Sequence, residues 1–143
     1  MAKFAATDYK VTINGTDYTS WMAQVELNIK YADIDTTAFG QTGVSRTPGL
    51  IDGDVKIDFH QDFGPGTSID SVLYTLTTAT TVATIVITPT SATVGSNNPK
   101  YTVTVRPLEY TPFSSSVGDL ATVSVTWPLS QSGTTPSVVR AIA

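Results

Sequence analysis

The chain has 143 residues with 8 Lys+Arg, 12 Asp+Glu and 1 His, a formal charge of -4 and one domain's worth of sequence. Thr supplies 25 residues, Ser 13, Val 15 and Ile 9, against 2 Glu and 7 Leu; β-branched residues suit a pleated surface while Glu and Leu favour helices, which excludes helical bundles and coiled coils. The absence of cysteine removes disulfides, thiolate metal sites and cysteine nucleophiles, and the scattered Lys and Arg of an acidic chain argue against a protein that grips nucleic acid by its phosphates.

In chain order, the opening run to Asp8 has no apolar stretch of signal-peptide length, and no window approaches a membrane span, so the expectation is a chain made in, and initially left in, the cytoplasm. Tyr9, Val11 and Ile13 alternate and end at Asn14-Gly15, a hairpin signal. Val25, Leu27 and Ile29 then alternate with Glu26, Asn28 and Lys30, the period of a strand with one buried face. From Tyr31 to Gly53 the alternation weakens and Gly40, Gly43, Pro48 and Gly49 interrupt it, which predicts a long loop over 31–53. Loops of that length are usually functional or ordered by a partner.

Alternation returns with Val55, Ile57 and Phe59 against Asp54, Lys56, Asp58 and His60, and Gly64-Pro65-Gly66 reads as a turn. Ile69, Val72, Leu73 and Leu76 form the stripe of an amphipathic helix over about 68–78, with Thr67 and Asp70 spaced as a capping box. Strands are expected over Val82 to Thr88, around Tyr101, Val103 and Val105, and around Val123, Val125 and Trp127, with a turn-rich loop between Ser91 and Pro99. The Ser-, Thr-, Gly- and Pro-rich residues 128–143 predict an arm that orders against a neighbour, as do residues 1–7. The fold class is therefore mainly β: a single domain over 1–143, a small sandwich or barrel of about seven strands with one flanking helix.

No constellation for catalysis, a metal or a cofactor emerges, so the chain is expected not to be an enzyme and to carry no cofactor. His60 stands alone on the polar face of a strand and reads as a solvated surface residue. Asp33, Asp35, Asp52, Asp54 and Asp58 lack the order of a calcium loop and read as a charged face. The turn at Gly64-Pro65-Gly66 has no phosphate-binding lysine. Trp21, Trp127, Tyr101 and Tyr110 read as core aromatics rather than a sugar platform.

The stretch over Asp33 to Phe63, with the run IDTTAFGQTGVSRTPGLIDGDVKIDFHQDF, resembles the major tail tube subunits of long-tailed phages with non-contractile tails. Asn98-Pro99-Lys100-Tyr101, Tyr110-Thr111-Pro112, and Val117 to Thr122 followed by a strand ending at Trp127-Pro128 extend the resemblance from about Asp8 to Ser130. It implies a β-sandwich with a flanking helix that forms hexameric rings, stacked into a hollow tube around a tape-measure protein. Tail initiator and terminator proteins are further implied partners. The resemblance also implies that DNA passes through the lumen without specific binding, that no membrane is involved, and that the location is the virion tail, assembled in the host cytoplasm. Because the chain stops at Ala143, the extra C-terminal immunoglobulin-like domain of some relatives is not expected.

On this reading the polar strand faces line the lumen, through Glu26, Asn28, Asp54, Asp58, Thr102, Thr104, Thr122 and Ser124. Subunit and ring contacts fall to Phe4, Asp35, Phe39, Arg46, Leu50, Val138, Val139 and Ile142, with 31–53 as the stacking loop. Alternative readings are the inner tube protein of a contractile tail, a capsid-decorating protein, or a secreted immunoglobulin-like adhesin module.

Overall fold

The computed structural model describes residues 3–143. Among the described residues, eight strands form two antiparallel sheets, with one α-helix and no closed barrel, so of the two expected architectures the sandwich is the one adopted. Strands β1 (Lys10–Ile13) and β2 (Thr16–Asp17) are joined by Asn14 and Gly15, both with positive φ, the two-residue turn that suits the right-handed twist of paired strands. Strands β3 (Met22–Asp35) and β4 (Arg46–His60) follow, then helix α1 (Ile69–Thr78) and strands β5 (Ala83–Thr88), β6 (Lys100–Val105), β7 (Thr122–Pro128) and β8 (Val138–Ala141). One sheet has the order β2-β1-β5-β6-β8, the other β3-β4-β7.

Val55, Ile57 and Phe59 of β4 and Val123, Val125 and Trp127 of β7 face Val11, Ile13, Ala83, Ile85, Val103 and Val105 of the other sheet, and all are buried. The alternation seen in the sequence is the direct signature of this burial. Tyr101, at one end of β6, lines a groove together with Val25, Leu27 and Ile29 of β3. Val105, at the other end, bridges Leu129 just past β7.

Helix α1 places Ile69 and Leu73 in the core, with Val72 and Leu76 half-buried. Its capping box is Ser68 and Ser71 rather than Thr67 and Asp70: Ser68 Oγ accepts from the Ser71 N–H, and Ser71 Oγ accepts from the Ser68 N–H. The frame is set by burying Ile69 in the first turn, which leaves Asp70 pointing outward, where Tyr110 takes it.

Two segments expected to lack regular structure are strands. Residues 31–53 are the far half of one long β3–β4 hairpin, with Asp33 opposite Pro48 and Asp35 opposite Arg46, and only 36–45 form its connection. Beyond Asp54 strand β4 has no β7 beside it, so this ribbon projects past the core. With neither face buried no alternation is imposed, and a register shift between Tyr31 and Asp33 breaks what remains. Gly53 marks the base of the ribbon, where a Cβ would lie 2.0 Å from the Asn28 carbonyl oxygen. At the C-terminus, Pro128 belongs to β7, and β8 pairs with β6 through Val138 opposite Val103, so the expected arm over 128–143 is largely part of the sandwich. Its short strand is hidden in the sequence by the polar residues on either side.

Candidate assembly surfaces

The outer face of the three-stranded sheet collects polar side chains in register. Glu26 stands opposite Lys56 and then Thr126; Asn28 opposite Asp54; Gln24 opposite Asp58 and then Ser124. Ser124 Oγ donates to Asp58 Oδ1 at 2.5 Å. Six of the eight residues expected in the lumen, Glu26, Asn28, Asp54, Asp58, Thr122 and Ser124, thus share one face. Thr102 and Thr104 do not join them: β6 belongs to the other sheet, and they point from its outer side. Alternation distinguishes inward from outward residues but is blind to which of two sheets a strand enters.

His60 ends the same β4 face, opposite Thr122, but it is half-buried and its Nδ1 is enclosed without a hydrogen-bond partner, unlike the solvated residue expected. Among the described residues no three His, Cys, Asp or Glu side chains are grouped to hold a metal, and no helix is long and apolar enough to cross a membrane.

The projecting hairpin exposes Tyr31, Ile34, Phe39, Val44 and Leu50, the last at 86%. Its tip is nonetheless internally bonded. The Thr36 N–H donates to Ser45 O at 2.9 Å, the Ala38 N–H to Gln41 Oε1 at 2.6 Å, and Gln41 Nε2 to Ser45 Oγ at 3.0 Å. Arg46 donates to Asp33 at 2.6 Å on its flank, and Asp35 Oδ1 accepts from the Thr37 N–H. Asp35, Phe39, Arg46 and Leu50 are all carried by this hairpin and all exposed.

The other expected contact residues divide. Val139 and Ile142 are exposed, whereas Val138 is half-buried and packs against the core, because β8 turns it toward Val103. Phe4 stacks on Tyr9 with ring centroids 6.1 Å apart, and both rings line an apolar groove of about 390 Å³ with Val25, Leu27, Ile29 and Tyr101. Met1 and Ala2 of the expected N-terminal arm lie outside the described residues.

Of the expected core aromatics, Trp127 is fully buried and its indole N–H donates to Glu109 O at 3.1 Å, while Trp21 is 41% exposed. Tyr101 is half-buried in the groove wall. Tyr110 is half-buried too, donating to Asp70 Oδ1 at 2.6 Å and accepting from Gln61 Nε2 at 3.0 Å. Burial, and after it the bond to Asp70, pushes its phenol up to about 12.

Sequence reasoning missed the segment between β6 and β7. Residues 107–121 run without regular structure along the free side of β7, held by Thr126 N–H to Glu109 Oε1 and Thr122 N–H to Ser115 Oγ. They expose Leu108, Phe113, Val117 and Leu120. The irregular spacing of these four residues gave no periodic signal; their excess in a strandless segment was the only one available. Compared with protein-family models and with curated proteins, the chain matches none.

Proposed function

We propose that this chain is a structural virion protein, the tail tube subunit of a long-tailed, non-contractile-tailed phage, forming hexameric rings that stack into a hollow tube. The observation that carries this reading is the projecting β3–β4 hairpin, a paired ribbon that leaves Phe39, Val44 and Leu50 exposed to solvent. Contiguous exposed apolar residues on a fixed element mark a protein interaction site. The resemblance over Asp33 to Phe63 falls on this same ribbon.

In this proposal the hairpin makes the contact between stacked rings, and the polar outer face of the three-stranded sheet lines the lumen. Glu26, Asp54 and Asp58 give that wall a negative charge that Lys30 and Lys56 only partly offset. Duplex DNA carries one negative charge per roughly 1.7 Å, so a basic wall holds it by releasing counterions while an acidic wall lets it slide. A tape-measure protein occupies the lumen during assembly, and initiator and terminator proteins bound the tube. The chain has no catalytic part in this scheme.

Negative-stain microscopy across a concentration series, with and without a tail initiator complex, tests the proposal. Stacked rings or open-ended tubes are expected, and monomers under every condition overturn it. Replacing Glu26, Asp54 and Asp58 by Lys in assembled tails is expected to slow DNA ejection and make it salt-dependent. Unchanged ejection overturns the lumen assignment alone.

A further inference from the structure

Helix α1 carries a second stripe beside the one it buries. Ile69, Leu73 and Leu76 turn to the sandwich, while Asp70, Tyr74, Thr77 and Thr78 recur at the i, i+4, i+7 and i+8 spacing of another face. Tyr110 ties the segment after β6 to this stripe through Asp70, and between the two lies a trough of about 470 Å³. Phe113, 81% exposed and stacked on Phe63 with centroids 5.4 Å apart, lines it too. Neither the hairpin nor the polar sheet face contributes a residue.

The polar side chains of the trough are mainly acceptors. Thr77 Oγ1 donates its proton to Leu73 O at 2.9 Å and Thr78 Oγ1 to Tyr74 O at 2.8 Å, which leaves these hydroxyls their lone pairs. The Tyr110 proton goes to Asp70 Oδ1 at 2.6 Å. Asp70 Oδ2 has no hydrogen-bond partner among the described residues and is open to solvent. The Tyr74 hydroxyl alone is left to donate, on a ring that is 62% exposed. Asp70 is also the one charged residue lining the trough, and Arg106 at the end of β6 is turned to Thr80 O at 2.6 Å.

Acceptors, one uncompensated carboxylate and aromatic rings together select a ligand that donates hydrogen bonds, carries positive charge and has a flat face. A guanidinium has all three properties, whereas an ammonium is a point charge that water holds more strongly. Free arginine would bring a carboxylate beside Asp70 with no cation to receive it; within a polypeptide that carboxylate is an amide. We infer that the trough binds an arginine side chain presented by a partner protein, with the guanidinium on Asp70 Oδ2 and against the rings of Tyr74 and Phe113. The inference is independent of the tube reading, since it requires neither ring nor stack.

Saturation-transfer NMR with Nα-acetyl-arginine amide as the probe tests it, because the signal is read on the probe whether the protein is a monomer or an assembly. Binding is expected with a dissociation constant on the order of 1 mM, the range of a single side chain. Nα-acetyl-citrulline amide, similar in shape but uncharged, and free arginine are both expected to bind at least roughly tenfold more weakly. Asp70→Asn keeps an oxygen for the Tyr110 hydroxyl and removes the charge, and is expected to weaken the arginine probe by about tenfold. Tyr74→Ala, at an exposed ring whose loss leaves the fold intact, is expected to weaken it about two- to fivefold.

Equal binding of the arginine and citrulline probes, or an arginine probe bound as tightly by both variants as by the parent, overturns the site. Free arginine bound as tightly as its blocked form overturns the assignment to a side chain within a protein.

Discussion

The Tyr110 hydroxyl donates to Asp70 Oδ1 at 2.6 Å, tying the segment after β6 to the first turn of α1 across 40 residues of chain. Gln61 Nε2 bonds the same phenolic oxygen and also Pro112 O at 3.2 Å, so one small network positions residues 107–121 on the sandwich. The arrangement works only while the phenol keeps its proton.

A pH dependence follows. The phenol holds its proton up to about 12 in the folded chain, against 10.0 as its ordinary value, so between these the folded state binds more protons than the unfolded one. The contribution of Tyr110 is therefore intact below pH 10 and is lost as pH rises through 12. Thermal melts between pH 9 and 12 are expected to fall more steeply for the parent than for Tyr110→Phe, which has no phenol to titrate. At neutral pH the Phe variant is expected to lose about 1 kcal/mol, since the carboxylate of Asp70 loses a hydrogen bond at a half-buried position.

At the base of the hairpin, Gly53→Ala brings a methyl group to 2.0 Å from Asn28 O, an approach that only backbone movement relieves. Overpacking of this kind costs about 1–3 kcal/mol, and a rigid backbone neighbour puts the substitution at the upper end. Denaturant titration is the measurement. Unchanged stability would mean that the strand pair at Asn28 is free to separate.

Within the core, Trp127→Ala is expected to destabilise by about 3–5 kcal/mol, because it empties a fully buried site and removes the bond to Glu109 O. The same substitution at Trp21, which is 41% exposed, is expected to cost much less. Denaturation midpoints of the two variants, measured side by side, give the comparison, and equal losses would place Trp21 in the core.

On the hairpin, Phe39→Ala and Leu50→Ser remove side chains that touch little of their own chain, so stability is expected to change by no more than about 0.5 kcal/mol. Assembly is expected to fail in the double variant. Separating melts from sedimentation distinguishes the two effects, and a double variant that assembles normally removes the hairpin from the contact.

The Asp33–Arg46 ion pair is more than half exposed on both sides, and exposed pairs contribute about 0–1 kcal/mol. Arg46→Ala is accordingly expected to leave the melting temperature almost unchanged. A drop of many degrees would mean that the pair organises the ribbon rather than decorating it.

What the sequence by itself determined is whatever burial imprints on it. Val55, Ile57, Phe59, Val123, Val125 and Trp127 alternate because one side of each strand faces the core; Ile69 and Leu73 are spaced for a helix; Asn14-Gly15 announces its turn. The hairpin beyond Asp54 left no such imprint, since a ribbon exposed on both faces imposes no pattern, and its backbone pairing with β3 is invisible in side chains. Tertiary structure alone decided which strands share a sheet, and so sent Thr102 and Thr104 to one outer face and Glu26, Asp54 and Asp58 to the other. It alone turned Val138 inward, toward Val103. These are relations between segments distant in the chain, and local periodicity reports the environment of each residue without naming the neighbour that provides it.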